Sequence, residues 1–441
     1  MTKNRIVHLG VGHFHRAHQA VYTQEAGDDW DIIGVSLRRP AVRDCLRAQD
    51  FRYHVLEKSA DGSTLVPMTV LKDILVAPES PDAVLAVLAD PACKVVTLTI
   101  TEKGYYFDPA SGQLQLTHPD IVRDGHHVTA PKTAVGFLVG ALQQRYEKGI
   151  PPFTVVSCDN LPANGKLLKN SCVQFANSID RMLADWIAQH VCFPSTMVDR
   201  IVPAMTDDDV AEVLRLTGCQ DNAVVPCEPF KQWIIEDNFC NERPSWEKSG
   251  AFIVPDVTPF EIMKLRLLNA SHSALAYVGF LAGYETIYEA MQDDTLIAYL
   301  NQMMTDEIMP HLVVPEQAGL SVYRDSILER FNNPQIKHKL YQIAMDGSQK
   351  IPQRILPSIK ACIEAGEDFN GLLRALAAWI QYTGRRDIIV QDPLAEQMTM
   401  IHQQAGDDVN ALVTGYLALP GVFSNYFQEN TVFKSALYDI L

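Results

Sequence analysis

The first half of the chain alternates short runs of β-branched and apolar residues with segments of helical periodicity. Runs of high β propensity occupy residues 5–9, 30–37, 94–101 and 153–158. Helical patterns lie between them, for example over residues 81–88 and 133–148. Strands that alternate with helices need crossover connections, which favours a parallel sheet and a doubly wound α/β domain. In such sheets, ligands bind beyond the carboxyl ends of the strands.

The pattern changes near residue 255. From Phe260 onward β-branched runs are rare, and apolar residues recur at the 3.6-residue spacing of helices. These stretches are residues 261–283, 284–304, 321–331, 372–382 and 405–417. We therefore predict an α/β N-terminal domain over residues 1–255 and a mostly α-helical C-terminal domain over residues 256–441.

A short glycine motif follows the first predicted strand. Gly10 and Gly12 precede a helical segment, residues 16–25, and such a turn lets a pyrophosphate approach backbone N–H groups. The third glycine of the G-x-G-x-x-G pattern is replaced by His15. A tight strand–helix turn without a ligand explains two glycines about as well, so the motif alone leaves both interpretations open.

The second predicted strand ends in two arginines, Arg38 and Arg39, rather than in an acidic residue that would bind a ribose hydroxyl. Paired arginines suit a 2′-phosphate, so NADP is possible beside NAD. They also fit an ordinary solvated turn.

Composition and charge narrow the class of function. The chain has 37 basic and 53 acidic residues, a net charge of −16, which disfavours binding to nucleic acid or anionic membranes. No apolar run approaches the roughly 18 residues of a membrane span. Nine cysteines without a C-x-x-C pair, and an N-terminus without a signal-peptide core, predict a cytoplasmic protein with reduced thiols. No cysteine–histidine cluster has the spacing of a zinc site.

The densest chemistry lies in the segment PFEIMKLRLLNASHS, residues 259–273. On a regular α-helix, which turns about 100° per residue, Glu261, His272 and Asn269 lie about 60°, 80° and 140° from Lys264. Two leucines share this arc, so the face is either partly solvated or lines a pocket.

The residue types in this segment suit the oxidation of a secondary alcohol. The reaction needs a base for the hydroxyl proton and donors that stabilise alkoxide character. Lys264, with an ordinary pKa of about 10.4, becomes a useful base if burial and nearby positive charge lower that pKa. Asn269 donates hydrogen bonds without competing for the proton. Three segments of the first domain, residues 101–106, 157–160 and 197–200, also carry polar groups, although turn or cap roles explain each one alone.

Taken together, these segments resemble the mannitol dehydrogenase family, the polyol-specific long-chain dehydrogenases. The Lys-x4-Asn-x2-His spacing of residues 264–272 is highly specific to that family. The matching motifs are GVGHFHRAHQA (10–20), TITEKGYY (99–106), SCDNLPANG (157–165), STMVDRI (195–201), KLRLLNASHS (264–273), RFNNP (330–334) and DGSQKIP (346–352). They cover nearly the whole chain in order.

The resemblance implies a Rossmann-type domain that binds NAD, a helical catalytic domain, and catalysis in the cleft between them without a metal. It assigns the general base to Lys264, the oxyanion site to Asn160 and Asn269, and substrate orientation to His272. Further residues implied by it are Gly10, Gly12, Phe14, Arg38, Glu102 and Val198 for the cofactor, Asp199 and Lys350 for the substrate, and Glu261 for the proton route.

The resemblance implies an enzyme that interconverts a sugar alcohol and its ketose. Motif wording is most similar to the D-arabinitol and mannitol dehydrogenases. One alternative is a hexuronate (fructuronate or tagaturonate) reductase, in which Lys350 or Arg330 would pair with the substrate carboxylate. An alternative of a different class is a nucleotide-binding regulator without catalysis, which the intact Lys264, Asn269 and His272 set disfavours.

Overall fold

The computed structural model describes residues 3–108, 111–335 and 338–441, except for the Gln317 side chain. Met1 and Thr2, at the start of the segment used to predict the compartment, lie outside these ranges. The chain divides into two compact units, Met1–Thr258 (unit 1) and Pro259–Leu441 (unit 2).

Unit 1 is built on a five-stranded parallel sheet in the order β5-β2-β1-β6-β7. The chain adds strands on one side of β1 and then returns to place β6 on its other side, so the β1/β6 boundary is a topological switch point. The strands are β1 (Asn4–Leu9), β2 (Trp30–Ser36), β5 (Leu71–Val76), β6 (Cys93–Leu98) and β7 (Thr154–Ser157).

Apolar side chains cover both faces of this sheet. Successive residues of a strand point to opposite faces, and Ile6 packs in one buried cluster while Val7 and Leu9 pack in another. Burial on both sides explains why these strands are continuous apolar runs in the sequence.

Two smaller sheets complete unit 1. One has the order β4-β3-β9, and the other, β11-β10-β8, pairs β8 antiparallel to β10. Their strands are β3 (Tyr53–Ser59), β4 (Gly62–Met68), β8 (Thr196–Asp199), β9 (Val225–Cys227), β10 (Gln232–Glu236) and β11 (Phe252–Val254). The helices of unit 1 are α1 (His13–Ala17), α2 (Gln19–Glu25), α3 (Ala41–Arg47), α4 (Pro81–Ala89), α5 (Pro119–His126), α6 (Ala134–Lys148), α7 (Asn164–Asn177), α8 (Arg181–His190) and α9 (Asp207–Thr217), with 3₁₀ turns at Glu102–Tyr105 and Trp246–Ser249.

The regular secondary structure of unit 2 is helical in its described residues, apart from one isolated bridge between Thr286 and Lys339. Its long helix α11 packs against α18. The helices are α10 (Thr258–Lys264), α11 (Ala270–Leu281), α12 (Ile287–Ala290), α13 (Asp294–Gln302), α14 (Leu320–Phe331), α15 (Leu340–Ile343), α16 (Gly347–Arg354), α17 (Leu356–Ala365), α18 (Asn370–Thr383), α19 (Ala395–Ala405), α20 (Val409–Leu417), α21 (Asn425–Glu429) and α22 (Thr431–Ile440); π-helical turns span Leu265–Asn269 and Met303–Ile308, and 3₁₀ turns Met309–His311 and Glu316–Ala318.

The predicted α/β fold followed by a helical region is confirmed, with differences in individual elements. The predicted helix over residues 16–25 begins earlier and is broken at His18, whose ψ of −85° lies outside the helical region. The predicted helix over residues 405–417 begins only at Val409, because Gly406 adopts a φ of +54° and Asp408 caps a new helix. The predicted third strand ends at Leu98 rather than Thr101, whose φ is +64°.

Candidate active site

The glycine turn of unit 1 lies at the switch point of the sheet. Gly10 has a φ of +96°, and a Cβ there would lie 2.1 Å from the carbonyl oxygen of Thr99, at the end of β6. Only glycine therefore fits this position. At Gly12, by contrast, a Cβ would meet no protein atom nearer than 4.0 Å. The backbone at Gly12 is exposed and leaves room for a ligand to approach it.

A buried histidine pair supports this turn from below. His8 donates from Nε2 to the Gly10 carbonyl (3.1 Å), and its Nδ1 lies 2.7 Å from the Thr97 hydroxyl. Burial lowers the pKa of His8 to about 3, so its ring is neutral. His15, which stands where the third glycine was absent, stacks on His8 with ring centroids 3.4 Å apart. The His15 side chain therefore fills the space below the turn, where a glycine would let the helix approach the sheet more closely.

The other predicted cofactor residues of the large sheet also follow strand ends. Arg38 and Arg39 follow β2 and are exposed, and neither forms an ion pair with a described residue. Glu102 is exposed and lies in the 3₁₀ turn after β6. Phe14 is partly buried and stacks on His18, with centroids 4.9 Å apart. The edge that parallel sheets use for ligands thus carries these side chains.

The loop after β7 is tied to the loop after β6 by Asp159. Its carboxylate accepts hydrogen bonds from the backbone N–H groups of Ile100 and Thr101, each at 2.9 Å, and from the Tyr105 hydroxyl at 2.6 Å. Burial raises the pKa of Asp159, although these donors act in the opposite direction. Asn160 follows directly and is exposed, so the network fixes the backbone that carries it.

A second buried link joins β7 to β8. The Asn164 amide accepts from the Thr196 N–H and donates to the Thr196 carbonyl, both at 2.9 Å. The Thr196 hydroxyl donates to the Ser157 carbonyl at 2.6 Å. Because β8 also contains Val198 and Asp199, both buried, the link brings a strand of the smaller sheet to the end of the large one.

In unit 2, Lys264 and Asn269 stand at the two ends of a π-helical turn. The turn spans Leu265–Asn269 between α10 and α11, and the backbone stays helical at both junctions. A π turn closes i→i+5 hydrogen bonds and is often found at functional sites. Its wider turn rotates less per residue, so the angles predicted for Asn269 and His272 on a regular α-helix do not apply beyond Lys264.

Side chains around this turn are shielded unevenly. Glu261, Lys264, Asn269 and His272 are all partly buried, whereas Leu267 and Leu268 of the turn are buried. A fully solvated helix face would leave all of these side chains exposed, and a core-facing one would bury all of them.

His272 lies between aromatic rings and positive charges. Its ring stacks on Phe331 and meets His338 edge-on, with centroids 5.2 Å away in each case. Burial lowers the pKa of His272 well below its ordinary value, and the charges of Arg354, Arg330 and Lys350 and the neighbouring His338 act in the same direction. The imidazole is therefore neutral near pH 7 and offers one donor and one acceptor.

Lys350 and Arg354 reach this region from α16. Lys350 donates to the carbonyls of Ile343 (3.1 Å) and Met345 (2.5 Å), and burial lowers its pKa. Arg354 donates from Nη1 to the Asn269 carbonyl (3.2 Å) and to the Ser273 hydroxyl (3.0 Å).

Sequence reasoning missed Asp159, Asn164 and Arg354. All three lie within or just beyond the recognised motifs, but only contacts in the fold distinguish them from ordinary turn or surface residues.

Neither a metal centre nor a membrane span emerges from residues 3–108, 111–335 and 338–441. In these ranges no three His, Cys, Asp or Glu side chains are grouped to hold a metal ion, and no helix has both the length and the hydropathy to cross a bilayer.

Family models match both units. The model described as mannitol dehydrogenase Rossmann domain matches residues 4–248, and the mannitol dehydrogenase C-terminal domain matches residues 256–437. The chain belongs to the mannitol dehydrogenase family. As a member of it, the chain is an oxidoreductase with a Rossmann-type N-terminal unit, as predicted.

The names of this chain's relatives indicate different substrates. It is 43% identical to D-mannonate oxidoreductase of Escherichia coli, over 99% of this chain and 92% of the relative. It is 41% identical to mannitol 2-dehydrogenase of Phaeosphaeria nodorum, over 90% of this chain and 72% of that one. The ternary complex of Pseudomonas fluorescens mannitol 2-dehydrogenase with NAD and D-mannitol matches with a TM-score of 0.81 at 37% identity, covering 100% of this chain and 91% of the other. Such similar identities do not rank the substrates.

Proposed function

We propose that this family member is an NAD-dependent polyol dehydrogenase that interconverts a sugar alcohol of the D-arabinitol or D-mannitol type and its ketose. Lys264 is the general base in oxidation and the general acid in reduction. The observation that carries the proposal is the placement of Lys264 and Asn269 at the two ends of one partly buried π turn. The similarity to a mannitol dehydrogenase crystallised with NAD and D-mannitol supports the assignment.

Unit 1 fits the dinucleotide. The open backbone at Gly12 gives a pyrophosphate room to approach, and Gly10 makes the tight turn that exposes it. Residues proposed to hold the cofactor are Gly10, Gly12, Phe14, Arg38, Glu102 and Val198. NAD, when bound, supplies the acceptor for the hydride. This proposal gives cofactor binding to residues 1–255 and most of the catalytic chemistry to residues 256–441.

The residues of the chain handle the proton and the oxygen. Lys264 accepts the hydroxyl proton, and the amides of Asn269 and Asn160 donate hydrogen bonds to the oxygen as it gains negative charge. Neutral His272 orients a neighbouring hydroxyl through its remaining hydrogen-bonding capacity. In the proposal Glu261 relays the proton to solvent, and Asp199 and Lys350 bind further substrate hydroxyls.

A second candidate function is the oxidation or reduction of a sugar acid. Arg330, Lys350 and Arg354 all place positive charge near His272 and lower its pKa. Such a region suits a substrate carboxylate, which Lys350 or Arg330 would bind. The D-mannonate oxidoreductase of E. coli is a relative of this chain.

A substrate panel tests the proposal. Initial rates are measured with D-arabinitol, D-mannitol, D-mannonate, fructose and fructuronate, with NAD and NADP or their reduced forms in parallel. Turnover of a polyol with NAD is expected. Turnover of the carboxylated compounds alone would favour the second function. Tight NADH binding without turnover of any of these compounds would favour a regulator without catalysis.

A further inference from the structure

Arg354 is a partly buried contact of the π turn and takes no part in the proposed proton transfer. It ends α16, which packs against the turn, and its guanidinium is partly buried. Arg354 donates from Nη1 to the carbonyl of Asn269 and to the hydroxyl of Ser273. The arginine therefore binds the residue at which the turn ends and the first turn of α11.

A π turn is less favourable than regular α-helix, and it persists only where its surroundings stabilise it. The Arg354 guanidinium donates to the Asn269 carbonyl, where the π turn joins α11, and thereby stabilises this junction. No acidic side chain of the described residues forms an ion pair with Arg354, so no carboxylate competes for this guanidinium.

The contact between Arg354 and the turn matters because the turn separates Lys264, the proposed base, from Asn269, the proposed donor to the substrate oxygen. Lys264 lies just before the turn and Asn269 ends it. If the turn relaxed to regular α-helix, the direction of Asn269 relative to Lys264 would change by tens of degrees. A misplacement of about 1 Å is enough to reduce a rate by about a hundredfold.

We propose that Arg354 is a positioning residue, which holds the π turn closed at the Asn269 carbonyl and thereby sets the geometry of Lys264 and Asn269 relative to each other. The inference rests on the proposed function, in which these two residues act on one hydroxyl. Arg354 itself contacts no reacting atom in this scheme, and it acts through the backbone.

Replacement by methionine and by lysine tests the proposal. Arg354→Met keeps the length of the stem and removes all donors, and we expect kcat to fall about tenfold to a hundredfold, with KM and NADH affinity nearly unchanged. Arg354→Lys, which keeps a charged donor, is expected to recover part of kcat, as is guanidinium added to Arg354→Ala. Arg374→Met removes one exposed positive charge from α18 and serves as the control.

Hydrogen exchange supplies a readout that does not depend on activity. Amides of residues 265–273 are expected to exchange faster in Arg354→Met than in the wild type or in Arg374→Met, while the melting temperature stays close to that of the wild type. If the wild type turns over no substrate, the proposed function fails, but this exchange experiment still decides the role of Arg354.

Three results would overturn the positioning role. The first is unchanged kcat and unchanged exchange in Arg354→Met. The second is a loss confined to KM for carboxylated substrates, which would make Arg354 a substrate-binding residue. The third is a general loss of folding without rescue by lysine or guanidinium, which would make its role purely structural.

Discussion

The two candidate regions of this oxidoreductase are built in different ways. At the sheet edge of unit 1, backbone conformation and closed hydrogen-bond networks fix the geometry: Gly10 has no room for a side chain, and Asp159 accepts three hydrogen bonds. Around the π turn of unit 2, the positive side chains of Arg330, Lys350 and Arg354 gather near His272. The first arrangement suits rigid binding of a dinucleotide at Gly10 and Gly12, which we call the cradle. The second suits a substrate group that carries or gains negative charge. Four experiments test this contrast.

The largest effect is expected from Lys264→Met. General acid–base catalysis contributes about 10²–10⁴-fold to a rate, so kcat should fall by about that factor. NADH binding, measured by fluorescence titration, should survive because the proposed cradle lies in unit 1. Lys360→Met, at an exposed lysine of α17, is the control. Full activity in Lys264→Met would remove the catalytic role from unit 2.

Glycine substitutions separate the fold of the cradle from its ligand. Gly10→Ala places a Cβ 2.1 Å from the Thr99 oxygen at a φ of +96°, and it should lower the free energy of unfolding by about 3 kcal/mol. Gly12→Ala meets no protein atom nearer than 4.0 Å. Its melting temperature should stay unchanged, while the Kd for NADH rises about tenfold, as expected when a methyl group blocks a phosphate. Equal effects of the two substitutions on the melting temperature would contradict a structural role for Gly10 and a ligand-binding role for Gly12.

Acidification should destabilise the protein through His8. Its folded pKa of about 3 lies below the ordinary value of 6.5, so the unfolded state binds the proton first as the pH falls. The stabilisation is present above pH 6.5 and declines below it, by about 2 kcal/mol between pH 6.5 and 5. The free energy of unfolding is measured by urea denaturation at pH 6.5 and at pH 5. His8→Gln should show a shallower dependence, and His190→Gln, at an exposed histidine, should match the wild type.

The smallest effect is expected at the second strand end. Arg38 is exposed and forms no ion pair within the described residues, so it is available for a 2′-phosphate. Arg38→Asp should raise KM for NADP about tenfold and KM for NAD by a smaller factor. Arg47→Asp, at another exposed arginine, controls for the change in net charge. Equal changes for both coenzymes would show that Arg38 does not read the phosphate.

The contrast also explains which features were predictable from sequence. Apolar runs predicted β1, β2, β6 and β7 of the large sheet because burial on both faces leaves a continuous signal, and the turn at Gly10 was visible because only glycine fits it. The strands β3, β4 and β5 were not predicted because polar and charged residues interrupt their apolar pattern, and β8–β11 were not predicted because three to five residues carry too little pattern. The roles of Lys264, Asn160 and His272 came from the family motifs and stay proposals. Arg354 was hidden because its partner is a backbone carbonyl, which no sequence pattern records.

The π turn between α10 and α11 has a consequence for insertions and deletions. Such a turn is equivalent to an α-helix that holds one surplus residue. Deleting a single residue between Leu265 and Asn269 would let the segment become continuous α-helix while the packing of both flanking helices survives. The loss or gain of one residue in this turn would therefore change the direction of the Asn269 amide while the rest of the fold stays the same.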